Sequence, residues 1–589
     1  MITPKAVAER ESTLLAEPHH DGSEAYVERP DRLGGEAVVR LRVPPGGADG
    51  VALRYTRDGE PRVVEAELDG DSWVARFPVA NPLVRYRWLL AGGATGYAWL
   101  NGRGLVAHDV PDSDDFVLSL AAGGPDWHLR SVVYEIFPDR FASSGLGADP
   151  PAWAIERAWD ELPTGRGPET PYEWFGGDLG GIEAHLDHIE GLGADVLYLT
   201  PFFPAGSTHR YDATSFDRVD PLLGGDEALA SLTKAVHARG LRVLGDLTTN
   251  HTGVGHDWFR ERRPFYYFDE SLPNGYESWL GVPALPKLDW RSDDLRDRML
   301  DVARRWLAEG LDGWRIDVAN MTGRHRGHDL TLEVARELRA AVGEGLLVGE
   351  HFHDHRGDLP GDGWHGVMNY AGFLKPVWTW LQAAKSDGRF LNLPFTPPPA
   401  SGRDVVAEMR AFRAGVPWEA VLHSWTLLDS HDTARFRTVA GSRERHLVGL
   451  GLACTTPGVP MLFAGDELGL EGAWGEDGRR TMPWGREDAW DRAMLEETRK
   501  LLALRRSSEA LARGGLRYAQ VDNDVIAYLR ETASERLLCV ATRAPHAPLR
   551  LPLGCRELEP LYGPEAVVAD GSALVPADGP AFHVWRIDG

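Results

Sequence analysis

The sequence predicts an α/β protein: a (β/α)8 barrel with a lid insertion after its third strand, flanked by N- and C-terminal β-sandwiches. Three observations carry that prediction. Eight apolar runs alternate with amphipathic, helix-like segments between residues 131 and 467. Strand-like pieces at short spacing precede this region and return after residue 510. At 589 residues the chain is also too long for a single core.

In chain order, "EAVVRLRVP", "GVALRYTR", "SWVARFPV" and "LVRYRWLLA" read as strands between Gly, Pro and Asp turns. They assign residues 1–124 to the first sandwich, with "AAGGPDW" (121–127) as its linker. The barrel spans 125–508. Its strands are expected at 131–141, 194–203, 241–251, 311–320, 345–351, 366–371, 424–432 and 459–467. Helices at 226–240, 293–310 and 330–343 end on or near glycine, a usual helix stop. A doubly wound open sheet is excluded because no glycine-rich phosphate turn follows the first strand. The connection 252–290 is too long for an ordinary loop and reads as the lid. Residues 509–589 form the C-terminal sandwich.

Composition narrows the function. A formal charge of −25 argues against nucleic acid and anionic membranes as partners. The 21 Trp and 15 Tyr suit sugar faces, although cores use most such rings. No signal peptide or membrane-length apolar run is apparent, and the three cysteines follow no metal-ligand spacing. A reducing cytoplasm is the expected location. The adjacent histidines of "HHDGSEAY" (19–26) are read as part of an exposed segment and not as a metal site.

Polar residues gather where the barrel chemistry belongs, at the strand carboxyl ends. Asp246, Asn250 and His251 end the third strand, Arg315 and Asp317 the fourth, Glu350 the fifth, and His431 with Asp432 the seventh. Acidic groups at apolar strand ends are costly unless paired or functional. Arg315 and Asp317 are two residues apart and face the same way, so the arginine is expected to hold the aspartate charged. Two neighbouring carboxylates, Asp317 and Glu350, are the equipment of a retaining glycosidase.

These residues resemble the motifs of the α-amylase superfamily, glycoside hydrolase family 13. "DLTTNH" (246–251), "GWRIDVAN" (313–320), "VGEH" (348–351) and "LLDSHD" (427–432) match in order, supported by "HRYDATSF" (209–216) and "GVPMLFAGDELGLEG" (458–472). The resemblance implies Asp317 as nucleophile, Glu350 as acid/base and Asp432 as transition-state stabiliser. It implies a sugar site lined by Tyr211, Asp212, His251, Arg315 and His431, with Arg480 near the donor side. "YEIFPDRF", "WFGGDLGGI" and "LPKLDW" are similar to the neopullulanase, cyclomaltodextrinase, maltogenic amylase and maltodextrin glucosidase group. That likeness implies α-1,4 cleavage, extending to α-1,6, in malto-oligosaccharides or cyclodextrins, and a homodimer through the N-terminal domain.

The sequence departs from the group at Asp289, where Asn is usual, and at Met321, where Glu is usual. Of the usual calcium pattern only Asp149 remains, with Asp178 further on, so no metal or organic cofactor is expected. His353 and Asp354, close behind Glu350, are read as loop-packing residues. Two alternatives stay open. Met321 keeps a transglycosylase in view, and a degenerate, non-catalytic carbohydrate-binding barrel is opposed by the intact Asp317, Glu350 and Asp432.

Overall fold

The computed structural model describes residues 14–145, 149–383, 393, 395 and 397–588. The reading of a missing signal peptide falls mostly on residues 1–13, outside the described residues. No helix among the described residues is long and apolar enough to cross a membrane.

The barrel closes through eight parallel strands: β1 (Val133–Ile136), β2 (Val196–Leu199), β3 (Arg242–Leu247), β4 (Gly313–Ile316), β5 (Leu346–His351), β6 (Gly366–Asn369), β7 (Trp425–Leu427) and β8 (Val459–Phe463). Each lies within one of the eight apolar runs of the sequence. Their near-continuous hydrophobicity follows from burial on both faces, under helices outside and side chains within. The helices begin and stop on local signals. Ser292 caps Asp293–Ala308 by accepting from the Leu295 N–H, and the left-handed Gly193 (φ 98°) ends Leu186–Leu192.

Register aligns the inward polar side chains: Glu135 of β1 lies opposite Tyr198 of β2, Asp246 of β3 opposite Arg315 of β4, and Glu350 of β5 opposite Met368 of β6. Residues 252–290 leave the barrel after β3 as short helices and an aromatic cluster of Phe259, Tyr266, Phe268 and Tyr276. A small hairpin after β4 (Arg324–His325 with His328–Asp329) pins this lid. His325 packs on Tyr267 at 4.0 Å and Arg326 pairs with Asp269 at 3.2 Å.

Two sheets around Leu53, Phe77, Tyr86 and Trp88 precede the barrel. Arg356, in the loop after β5, reaches Asp114 of this unit at 3.2 Å. The stretch read as exposed around His19 is instead an interface: His20 and Asp21 are buried. Asp21 accepts from Ser23 and from the Leu516 N–H of the C-terminal sheet. A long-range β-bridge from His19 to Arg42 draws the segment in, which no local pattern encodes. After the barrel, a five-stranded sheet (515–521, 525–531, 536–542, 581–588 and 557–562) turns Tyr518, Tyr528 and Phe582 into the barrel core. Its other face packs Leu529, Leu538 and Trp585 on a three-stranded sheet.

Under the amino-terminal end of the barrel, three histidines are buried together. Trp425 Nε1–H donates to His128 Nε2 at 3.0 Å, so His128 carries its proton on Nδ1 and donates to His423 Nδ1 at 2.9 Å. His365 Nδ1 accepts the Leu347 N–H. This arrangement needs neutral rings, and burial pulls His423 down to about 3 and His365 to about 2, with His128 also well below its ordinary value. Because the folded values lie below the unfolded 6.5, stability is complete above pH 6.5 and falls as acid is added. Each histidine contributes a loss approaching about 1.4 kcal/mol per pH unit. Denaturant midpoints at pH 7.5 and 5.5 are expected to show this decline. His365→Asn, whose amide oxygen can take the Leu347 N–H, is expected to lessen it.

Candidate active site

The strand ends converge on Arg315. Its guanidinium is fully buried and stands between three carboxylates. Nη1 donates to Asp246 at 2.9 Å and to Asp317 Oδ1 at 3.0 Å, while Nη2 lies 3.0 Å from Glu350 Oε2, an ion-pair contact too bent for a hydrogen bond. The expected Arg315–Asp317 pair is therefore present, and two further acids share the same cation.

The chain turns sharply after Asp317. Val318 adopts φ 36°, a left-handed conformation that a β-branched residue takes only at a cost of about 1–3 kcal/mol. In this turn the Val318 N–H donates to Glu350 Oε2 at 2.7 Å. Glu350 Oε1 is left for other chemistry, and Asp317 Oδ2 has no hydrogen-bond partner. That oxygen faces His251 Nε2, 3.9 Å away. The Asn250 side-chain amide donates to His251 Nδ1, which fixes the ring proton on Nε2. Burial and the nearby Lys287 ammonium hold His251 neutral, down to about 3.

Burial raises both Asp317 and Glu350 against the pull of Arg315, and the charges of neighbouring carboxylates raise them further. Two such groups on one cation titrate as a pair, each raising the other while it is charged. Asp432 behaves differently. Burial pushes it up, but His431 and Arg479 outweigh that and keep it below the ordinary carboxylate range.

A second chain of contacts positions these groups. Tyr198 and Tyr211 both donate to Asp246 Oδ2, at 2.6 and 2.9 Å. The Tyr211 oxygen then accepts from His431 Nε2 at 2.7 Å, and His431 Nδ1 donates to Glu135 at 2.5 Å. With both nitrogens donating, His431 is an imidazolium. Burial opposes that charge, but Asp432 and Glu135 outweigh it and raise the ring above its ordinary value. Tyr211 stacks on His431 with ring centres 5.5 Å apart.

Of the residues read from the sequence, Asp317, Glu350, Asp432, His251, Arg315, His431 and Tyr211 are brought together. Two are not. Asp212 spends both carboxylate oxygens on its own loop, accepting from the Gly206 N–H and the Ser207 hydroxyl. Arg480 turns to Asp477 at 3.0 Å, whereas its neighbour Arg479 reaches Asp432 Oδ1 at 3.0 Å and the His431 carbonyl at 2.8 Å. The two arginines are adjacent, so the sequence offers no means of choosing between them. Glu135 and Tyr198 were not singled out. Their signal was a polar residue inside an apolar strand, the same signal that marked Arg315.

The donors at Asp178 do not suit a cation. Its oxygens accept from Ser144 N–H and O–H and from the Gly181 N–H, as a helix cap does. Asp149 is exposed, and residues 146–148 between it and Ser144 lie outside the described residues. Among the described residues no cluster of three His, Cys, Asp or Glu side chains is arranged to hold a metal.

A closed parallel barrel with carboxylates, an arginine and histidines converging at its strand ends defines the class as a barrel enzyme. The chain belongs to the α-amylase superfamily, glycoside hydrolase family 13: residues 135–515 match the family described as alpha amylase, catalytic domain. It is 32% identical to neopullulanase 2 of Thermoactinomyces vulgaris, over 69% of this chain and 67% of that protein. It is 31% identical to a cyclomaltodextrinase of Geobacillus thermopakistaniensis, over 81% of this chain and 80% of the relative. Among solved structures, the cyclic α-maltosyl-(1→6)-maltose hydrolase of Arthrobacter globiformis superposes with a TM-score of 0.66 at 30% identity. It covers 79% of this chain and all of that one. A cyclomaltodextrinase superposes with a TM-score of 0.73 at 25% identity, over 97% of this chain and all of that one.

Proposed function

We propose that this protein is a retaining glycoside hydrolase that cuts α-1,4 bonds, and α-1,6 bonds where the chain allows, in short malto-oligosaccharides or cyclodextrins. The observation that carries the reading is one buried guanidinium gripping both Asp317 and Glu350 while leaving Asp317 Oδ2 unpaired. Two carboxylates sharing one cation favour the short spacing of about 5–5.5 Å typical of retention over the 6.5–9.5 Å of inversion. Asp317 Oδ2 attacks the anomeric carbon as Glu350 Oε1 protonates the departing oxygen. The same Glu350 then takes a proton from the water that releases the sugar. Asp432, kept ionised by His431 and Arg479, stabilises the positive charge that develops on the ring. Tyr211 offers a flat face to the sugar, and His251 donates through Nε2.

This reading requires no metal. It carries with it a cytoplasmic setting and a homodimer through the N-terminal sandwich. Support for the dimer comes from Val63 and Leu68, which are 65% and 62% exposed on the edge strands Glu60–Glu65 and Glu67–Asp69, one in each sheet of that unit.

Product analysis tests the substrate assignment. The protein would be incubated separately with maltose, maltohexaose, β-cyclodextrin, pullulan and trehalose, with Asp317→Asn as the blank. Opened rings, with maltose or panose as products, are expected. Glucose released stepwise from maltohexaose with rings intact would shift the reading to an exo-acting glucosidase. Products longer than the substrate would make it a transglycosylase. If nothing changed relative to the blank, the malto-oligosaccharide assignment would fall.

A further inference from the structure

Far from the carboxylates in the sequence, a crevice opens where the N-terminal sandwich, the helix Gly402–Arg413 and the C-terminal sheet meet. His19, His20, Asp21, Gly104, Trp418 and Tyr518 are among the residues on its walls, and Arg410 and Arg413 project into it. The two arginines stand three residues apart and so share one helix face. No carboxylate or carbonyl among the described residues pairs with either guanidinium. Both are half-buried, and other half-buried arginines of this chain, such as Arg157, Arg296 and Arg324, hold an acid.

The surroundings do not supply the missing charge. Asp21 is committed to Ser23 and the Leu516 N–H, and both His20 nitrogens are taken by the Arg40 carbonyl and the Tyr86 hydroxyl. Burial lowers Arg410 below its ordinary value and Arg413 beside it adds to that, while the Tyr518 ring, 4.9 Å from the guanidinium, and the exposed Glu17 give partial compensation. Gly104 is left-handed at φ 119°. A side chain there would begin 3.2 Å from Arg410 Nη1, so glycine leaves the guanidinium its space. The negative end of the helix accounts for cations in its last turn, but not for drawing two half-buried ones together without an acid between them.

We propose that this crevice is a binding site for a small oxyanion, the phosphoryl group of inorganic phosphate or of a sugar phosphate, held by Arg410 and Arg413. Planar guanidinium donors suit tetrahedral oxyanions and can grip them in pairs. The crevice volume of about 70 Å³ gives room for roughly five water-sized groups. That admits one phosphoryl group and leaves an attached sugar outside, near Glu17.

The test uses the full chain in sodium phosphate, in glucose 1-phosphate and in sodium chloride at matched ionic strength. Both phosphates are expected to raise the melting temperature above the chloride value by about 1–2 °C at saturating concentration. Titration calorimetry is expected to give one site per chain. Arg410→Gln/Arg413→Gln should lose the shift and the heat while hydrolysing maltohexaose normally. If the double variant fails to fold, Arg413→Gln alone should weaken phosphate binding by about tenfold. A stronger response to glucose 1-phosphate would support the site and mark the esterified phosphate as its source. No shift beyond chloride, or an equal shift in the variants, would overturn the proposal.

Discussion

Asp317→Asn is expected to lower kcat on maltohexaose by roughly 10⁴-fold or more, with KM changed far less. The substitution is nearly isosteric. Its amide oxygen can still accept from Arg315, so the pocket should keep its shape while the attacking oxygen becomes an amide nitrogen. Glu350→Gln should cost roughly 10²–10⁴-fold, the usual reach of a positioned proton donor. The two variants can be told apart. With an aryl maltoside, whose leaving group needs no protonation, Glu350→Gln should regain its first step, and azide, a nucleophile needing no general base, should speed the second. Asp317→Asn should respond to neither.

The pH profile gives a second view of the same pair. Burial and the charge of Asp432 raise Glu350, so the acid form persists to higher pH than an ordinary carboxylate would allow. Activity should fall as pH rises through that elevated value, and Glu350→Gln should lose this alkaline limb. Near-normal rates in both variants would sink the double-displacement reading.

How far the residues alone could reach follows from which contacts are local. All eight barrel strands were legible because apolar runs bounded by helices are a short-range pattern. Arg315 and Asp317 stood out because period-two spacing puts both on one side of a strand. Glu135 and Tyr198 carry the same kind of signal but join the site only when β1 and β2 close beside β8 and β3, a pairing between residues far apart in the chain. The strained turn at Val318 has no sequence signature, since valine is a poor choice for φ 36° and is held there by its surroundings. The choice between Arg479 and Arg480, and the burial of His20 and Asp21, likewise depend on how distant segments meet. Asp212 is a local case: its carboxylate accepts from the Gly206 N–H and the Ser207 hydroxyl of its own loop, contacts that the motif around it does not announce.

The largest structural effect is expected at Arg315. Asp246, Asp317 and Glu350 are all buried around its guanidinium, so Arg315→Ala leaves three carboxylates without their cation. Breaking one buried pair by removing a partner costs about 3–5 kcal/mol, and here one deletion breaks three contacts. The sign of the pH dependence separates lost charge from lost packing. Asp317 and Glu350 are already raised by burial, and without the pull of the arginine they lie further above their unfolded values near 4, so they take up protons more readily folded than unfolded. Their contribution is complete below the unfolded value and is lost as pH rises through the folded one. The destabilisation relative to the unmodified protein should therefore shrink between pH 8 and pH 5. A deficit constant over that range would mean that the side chain acts chiefly by filling space. Arg315→Lys tests geometry in turn. A single ammonium keeps the charge but cannot hold Asp317 and Glu350 from two separate nitrogens. It should recover a good part of the stability while kcat stays depressed by about 10²-fold, the penalty expected when reacting groups are held about 1 Å out of place.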